Sequence, residues 1–142
     1  MNELFLNWPS TKESARGLLE SARKARLLAY APYSGFKVGA AVLTENDEVF
    51  LGCNVENSSY GLTVCAERVA LFSALASGRR KPAAIAIAGC EGVPCIPCGA
   101  CLQVLAEFNP NLFIVLDRMG EPETHRLNEL LPFQFRLEGE KP

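Results

Sequence analysis

Three cysteines and one glutamate have the types and spacing of a catalytic metal site. Cys65 lies two residues before Glu67, and Cys98 and Cys101 form a C-x-x-C pair further along the chain. Thiolates bind zinc well, and three protein ligands leave the fourth tetrahedral position for water. A carboxylate beside such a site can take a proton from the water and return it to a reacting group. The pattern predicts a hydrolytic zinc site with Cys65, Cys98 and Cys101 as ligands. Glu67 is the predicted proton carrier.

A site of three thiolates has a net negative formal charge around Zn²⁺, which makes bound water less acidic. Both cysteine segments fall at predicted helix starts, where free backbone N–H groups and the helix dipole place partial positive charge. Arg68 directly follows Glu67. We expect Arg68 to donate hydrogen bonds to the ligand sulfurs. The alternative is an exposed charge on the helix surface.

The C-x-x-C spacing is ambiguous, because Cys95 and Cys98 also have it. Pro97 suits the first position of a helix, where its missing N–H costs little, and this favours Cys98 and Cys101 as the helix-start pair. A structural site with Cys95 as a fourth ligand and a thioredoxin-like redox motif remain as alternatives.

The elements that must position these residues follow from apolar periodicity and capping signals. Ser10 and Glu13 have the spacing of a capping box, and a helical apolar stripe follows as far as the turn at 31–35. The remaining pattern predicts strands at 36–44 and 48–53, a helix at about 64–77, a strand at 83–88, a helix after Pro97, a strand at 112–116, and a weak strand at 123–126 before a short helical turn.

This order predicts a single α/β domain covering residues 1–142. Short strands separated by helices indicate right-handed crossovers and partly parallel pairing. We therefore expect a three-layer α/β/α sandwich with a mixed sheet of about five strands. The pattern does not determine the strand order.

Composition limits the partners. The 142 residues are 49% hydrophobic and 21% charged, with a formal net charge of −2, so we expect no nucleic acid partner. No apolar stretch is long enough for a membrane span, and the first ten residues lack a secretion signal. We expect a cytoplasmic protein, in which the six cysteines stay reduced. Cys53 and Cys90 are interpreted as small buried side chains.

Taken together, the motifs resemble those of the small homotetrameric cytidine deaminases over nearly the whole chain. The resemblance implies a Zn²⁺ cofactor, a pyrimidine nucleoside as the small-molecule partner, and a homotetramer with sites completed by neighbouring subunits. It implies hydrolysis of cytidine and deoxycytidine to uridine and deoxyuridine with release of ammonia, a step of pyrimidine salvage. The matching segments are 31–34, 36–41, 52–57, 65–68, 97–101 and 130–132.

The resemblance also implies substrate-binding residues. Asn54 and Glu56 resemble a pair that hydrogen-bonds the ribose hydroxyl, and Phe36 resembles an aromatic residue that packs on the pyrimidine. The backbone N–H of Ala66 would read the edge of the base. From the residues alone, Asn54 and Glu56 lie two apart at a strand exit and can point the same way, the alternative being a loop whose polar side chains face water. Phe36 could be a strand core residue.

Two further features of the resemblance concern helix and tail positions. Phe135 resembles a phenylalanine that reaches into a neighbouring subunit's site, although Phe133 lies only two residues away. Leu102 stands where the family usually has arginine, whereas Gln103 matches. The loss of that charge is expected to affect a subunit contact or the charge around the thiolates.

The same residues allow two alternative interpretations. The protein could be a blasticidin-type nucleoside-antibiotic deaminase or a non-catalytic zinc-binding module. Glu67 argues against the module, because a structural site needs no carboxylate beside its ligands. A polynucleotide deaminase is disfavoured, since the sequence shows no basic groove with interleaved aromatic residues.

Overall fold

One mixed sheet with helices on both faces organises the chain. In a computed structural model, residues 8–9, 11–89 and 93–139 are described. The elements, in chain order, are α1 (Ala15–Arg26), β1 (Gly39–Thr44), β2 (Val49–Cys53), a 3-10 turn (Tyr60–Leu62), α2 (Ala66–Ala76), β3 (Pro82–Ala88), α3 (Gly99–Phe108), β4 (Phe113–Arg118), β5 (Glu121–Arg126) and α4 (Leu127–Leu130).

The sheet has the strand order β2-β1-β3-β4-β5. β3 and β4 pair in parallel, and the other neighbouring strands pair antiparallel. α1 covers one face, while α2 and α3 cover the other. This confirms the predicted α/β/α sandwich with a mixed sheet. Within the described residues, no helix has both the length and the apolar character needed to cross a membrane.

The central strands read as unbroken apolar runs because both of their faces are buried. Alternate residues divide between two cores. Ile85 and Ile87 of β3 pack on the α2 and α3 side, whereas the intervening alanines pack against α1. The larger side chains therefore fill the layer beneath the cysteine-bearing helices.

Two predicted helix starts are corrected. α1 begins at Ala15, with Ser14 as its N-cap accepting a hydrogen bond from the Gly17 N–H at 3.0 Å. Ser10 of the predicted capping box lies outside the described residues. α3 begins at Gly99 with Cys98 as its N-cap, so Pro97 precedes the helix and is not its first residue. The cause is that the Cys98 sulfur itself accepts an N–H of the first turn.

Of the two cysteines that were interpreted as small buried side chains, only Cys53 lies within the described residues. Cys53, at the end of β2, is only half-buried. Its Sγ donates a hydrogen bond to the Leu28 carbonyl oxygen at 3.5 Å. Cys90 lies outside the described residues.

Candidate metal centre

Two helix N-termini bring three cysteine sulfurs together on the α2 and α3 side of the sheet. Cys65 is the N-cap of α2, Cys98 is the N-cap of α3, and Cys101 lies in the first turn of α3. Their Sγ atoms all lie within 4.8 Å of one another. With Zn–S bonds of about 2.3 Å, tetrahedral zinc places its sulfurs roughly 3.8 Å apart. The cluster can therefore close around one ion with small side-chain shifts.

The position of Cys65 depends on how closely α2 approaches the sheet. A Cβ on Gly52 of β2 would lie 2.3 Å from the Ala70 nitrogen and 2.6 Å from the Ala66 carbonyl oxygen. Only a residue without a side chain allows the backbone of α2 to lie this near to β2. Gly52 thus fixes the depth at which the first turn of α2 presents its cysteine.

On α3, the cysteine spacing itself sets the geometry. The Cys101 N–H donates to the Cys98 Sγ at 3.5 Å. This bond satisfies one of the free N–H groups of the first turn, as an oxygen does at an ordinary N-cap. Both sulfurs of the C-x-x-C pair are consequently held at the same end of α3.

The cluster contains one sulfur that is readily ionised. Hydrogen bonding from the Cys101 thiol, followed by that from Arg68, lowers the pKa of Cys65 to about 5. The same contact with Cys65, together with burial, raises the pKa of Cys101. Metal binding would therefore meet one sulfur that is already easily ionised and would have to displace the remaining thiol protons.

Arg68 lies beside the sulfurs rather than on the open helix surface. Its Nη2 donates to the Cys65 Sγ at 3.6 Å. Its Nε is buried and has no hydrogen-bond partner among the described residues. A buried guanidinium N–H without an acceptor calls for a nearby negative charge, and Zn²⁺ bound by three thiolates would supply one. The donor set and this arginine together fit a zinc ion.

Glu67 is the second residue of α2, and its side chain is buried, with 5% of the residue exposed. Burial raises the pKa of its carboxyl group, and hydrogen bonding with the Cys101 thiol opposes that shift. The carboxyl group therefore lies at the cluster, shielded from bulk water, with a raised pKa. A buried carboxyl group with a raised pKa beside the ligand sulfurs is suited to accepting and returning protons there.

A second group of candidate residues surrounds Glu56. Its Oε1 accepts hydrogen bonds from the backbone N–H groups of Tyr33 (2.9 Å) and Ser34 (3.1 Å), and its Oε2 accepts one from the Ser34 hydroxyl. These donors, the Ser34 hydroxyl foremost, lower the pKa of Glu56. A cavity of about 360 Å³ opens beside this carboxylate, lined by Tyr33, Ser34, Glu56, Tyr60 and Thr63.

The Asn54 side chain is hydrogen-bonded to the backbone around Phe36. The Asn54 Oδ1 accepts from the Val38 N–H and its Nδ2 donates to the Phe36 carbonyl oxygen, both at 2.8 Å. Asn54 is buried, so it does not simply face water in a loop. Phe36 lies ahead of β1 and is 42% exposed, which argues against a strand core role. Asn54 thus holds the segment that presents the Phe36 ring.

Ser34 is a candidate residue that the sequence reasoning missed. Its hydroxyl oxygen accepts from the Phe36 N–H at 3.0 Å while the hydroxyl donates to Glu56. Ser34 therefore links the aromatic residue to the carboxylate. The signal was available, since a serine that bonds the N–H two residues on is a common local turn.

The remaining predicted residues supply no sulfur or carboxyl group to the cluster. Phe135 and Phe133 are largely exposed on the segment after α4. Leu102 is buried in the core beneath α3, so this leucine does not itself offer a surface for a subunit contact. Ala66 is the first residue of α2. A larger cavity of about 560 Å³ on the α1 side, lined in part by Arg23, Ala88 and Asp117, contains none of the candidate residues.

Residues 12–116 match the protein family described as the cytidine and deoxycytidylate deaminase zinc-binding region. The cytidine deaminase of Halalkalibacterium halodurans is 47% identical over 123 residues, which cover 85% of this chain and 93% of that relative. The crystal structure of cytidine deaminase from Burkholderia pseudomallei is 53% identical and has a TM-score of 0.82, covering 87% of this chain and 100% of that one. The structure of cytidine deaminase from Mycobacterium tuberculosis is 43% identical with a TM-score of 0.74, covering 84% and 95%.

Proposed function

The chain belongs to the cytidine and deoxycytidylate deaminase family, and we propose that it hydrolyses cytidine and deoxycytidine to uridine and deoxyuridine with release of ammonia. The observation that carries this function is the cluster of Cys65, Cys98 and Cys101 beside the buried carboxyl group of Glu67. A zinc-dependent hydrolytic enzyme requires both the metal ligands and a carboxyl group that moves protons. A module that is folded only by its metal would need the ligands but not the carboxyl group.

The reaction replaces the amino group on carbon 4 of the ring with oxygen from water. Cys65, Cys98 and Cys101 would hold a zinc ion, which would supply a Lewis acid that makes water acidic enough to react at neutral pH. Glu67 takes one proton from the water and delivers it to ring nitrogen 3. It then takes the proton of the new hydroxyl on carbon 4 and delivers it to the leaving amine, so that two protons are taken up and two are delivered. Its burial keeps bulk water from competing for these protons. Arg68 holds the Cys65 sulfur and offsets the negative charge of the site.

The substrate is held at two ends in this proposal. The N–H of Ala66, in the first turn of α2 where helix N–H groups lack intrahelical partners, reads the base edge. Phe36 packs on the pyrimidine ring. Asn54 and Glu56 bind the ribose hydroxyl. The support is that Asn54 anchors the Phe36 backbone while Glu56 is tied to the same loop through Ser34, so both ends belong to one connected unit.

Ser34→Ala tests this unit. The substitution removes the hydroxyl that joins Glu56 to the Phe36 N–H, so we expect KM for cytidine to rise about tenfold, the lower end of the loss for one hydrogen bond to a charged group. The zinc site is untouched, and kcat should stay within about twofold. Steady-state kinetics measure both quantities. Ser58→Ala, at an exposed serine in the loop after β2, is the matched control and should resemble the wild type. An unchanged KM in Ser34→Ala would remove Ser34 from the substrate site.

We further propose a homotetramer in which neighbouring subunits complete each site. Support comes from large apolar side chains left exposed on one chain, including Leu51 of β2, Leu62 of the 3-10 turn and Phe72 of α2. Exposed apolar surface of this kind marks an interaction surface. Light scattering after size-exclusion chromatography should give a mass four times that of the chain. A monomer at micromolar concentration would contradict the shared site.

The direct test of function is the fall in ultraviolet absorbance that accompanies conversion of cytidine to uridine, with ammonia and zinc measured on the same sample. Turnover of cytidine exceeding that of blasticidin S supports the proposal, and the reverse ranking favours the antibiotic deaminase. Bound zinc without turnover of either compound would favour the non-catalytic module. We also propose a single catalytic domain over residues 1–142, acting in cytoplasmic pyrimidine salvage, where thiol ligands stay reduced.

A further inference from the structure

The segment that follows α4, residues 132–139, is called the arm here. It has no regular secondary structure, yet side chains tie it to α3 and to the turn after α3. Gln134 Nε2 donates to the Pro110 carbonyl oxygen at 3.1 Å, and Arg136 Nη2 donates to the Ala106 carbonyl oxygen at 3.3 Å. Ala106 lies in the last turn of α3, where carbonyls lack intrahelical partners and attract cationic donors.

Gln103 differs from Gln134 and Arg136 because it makes two hydrogen bonds to the arm, both to the backbone of Phe135. Gln103 Nε2 donates to the Phe135 carbonyl oxygen at 2.9 Å, and its Oε1 accepts from the Phe135 N–H at 3.3 Å. One planar amide thus satisfies both backbone groups of one residue, as a neighbouring strand would. A single hydrogen bond leaves a backbone free to swivel about it. Two bonds from one plane fix both the position and the rotation of Phe135.

The arm alternates between tied and exposed side chains. Gln134 and Arg136 contact the chain's own α3 region, whereas Phe133, Phe135 and Leu137 are 94%, 68% and 84% exposed. Successive side chains of an extended segment point in opposite directions. Because Gln103 fixes the Phe135 backbone, the Phe135 ring points away from α3 and into solvent. In the described part of the chain, no side chain clamps the backbone of Phe133 in this manner.

We propose that Gln103 is a positioning residue for deamination, acting through Phe135, whose direction it sets toward the neighbouring subunit's site. The inference rests on the proposed function, in which such a phenylalanine completes that site. It also selects Phe135 over Phe133, because only Phe135 has its backbone clamped. Gln103 is two residues after Cys101 on α3, so the helix that starts at one subunit's metal cluster also aims the ring that closes another subunit's pocket.

Gln103→Met tests the clamp, because methionine keeps the length and helix propensity of glutamine but offers no amide. We expect KM for cytidine to rise about tenfold, the size expected for two neutral hydrogen bonds. We expect kcat within about twofold of the wild type and unchanged zinc per chain. A merely structural role at α3 would disturb Cys101 instead, lowering zinc content and kcat. That result, or a wild-type KM, would overturn the proposal.

Two companion variants make the test specific. Gln134→Met removes one hydrogen bond of the arm, to the Pro110 carbonyl oxygen, and its KM should stay within about twofold, because both hydrogen bonds to the Phe135 backbone remain. An effect equal to that of Gln103→Met would overturn the assignment to Gln103. In the double variant with Phe135→Ala, the effects should not add, since both residues act through one ring. Additive effects would likewise overturn it.

Hydrogen exchange separates failure of this inference from failure of the proposed function. The Phe135 amide should exchange faster in Gln103→Met than in the wild type, because its acceptor is gone. Faster exchange together with wild-type KM in Phe135→Ala would show that the clamp exists but that the shared site does not, which overturns the role of Gln103 in the reaction. Unchanged exchange would overturn the clamp itself, whatever the enzyme's activity.

Discussion

Glu67→Gln is expected to lower kcat for cytidine by at least about 10²-fold, the scale of general acid–base catalysis. Glutamine has nearly the same shape but cannot take up or return a proton. Because Glu67 is buried, bulk water has little access to replace it. The substitution removes no ligand sulfur, so zinc per chain, measured by atomic emission, should match the wild type.

The matched control is Glu45→Gln, which removes a carboxylate from the exposed loop between β1 and β2. Its kinetics should match the wild type. If Glu67→Gln turned over cytidine at a near-normal rate with zinc bound, another group would have to move the protons. If it lost zinc as well as activity, Glu67 would be holding the metal site together instead of serving it.

Cys98→Ser is expected to abolish tight zinc binding and, with it, deamination. Cys98 is exposed and caps α3, and serine is a good N-cap residue, so the helix start should survive. A serine hydroxyl is a poor zinc ligand beside two thiolates. Loss of residues that merely support a zinc ligand already weakens binding about 10- to 100-fold, and loss of a ligand should cost more than about 100-fold. Competition with a chromogenic chelator measures the affinity.

Cys95→Ser provides the comparison within the same loop. Cys95 has the C-x-x-C spacing with Cys98 but is not part of the three-sulfur cluster. We expect this variant to retain one zinc ion per chain and its activity. Loss of zinc from Cys95→Ser would establish a four-cysteine structural site. Full zinc affinity in Cys98→Ser would show that the ligand set is wrong.

The fold class was predictable because the core strands are apolar on both faces. The run at β3, all of it buried, could only be a central strand or a short buried helix. Its length and its bordering turn residues favoured the strand. The order of strands was not predictable, since the same elements permit several right-handed arrangements. The contacts of α1 on one face and of α2 and α3 on the other decided among them.

Local signals failed where a side chain took an unusual role. Proline at a helix start usually marks the first helical residue, but at α3 the sulfur of Cys98 caps the helix and moves its start to Gly99. Phe36 follows the apolar pattern of β1 but stays outside it, because Asn54 holds the backbone on both sides of Lys37. Neither the Cys98 cap nor the hydrogen bonds of Asn54 can be predicted from the apolar periodicity of the chain.

What the sequence determined by itself was the chemistry: thiolate ligands, a carboxylate two residues from one of them, and a match to a deaminase family. Residue type and short-range spacing carry that information, since helix geometry converts spacing directly into proximity. Only the tertiary structure decided that Cys65 meets Cys98 and Cys101, that Ser34 joins Glu56 to Phe36, and that Gln103 holds Phe135. These contacts join residues on different elements, and packing of the helices, the sheet and the arm sets their distances.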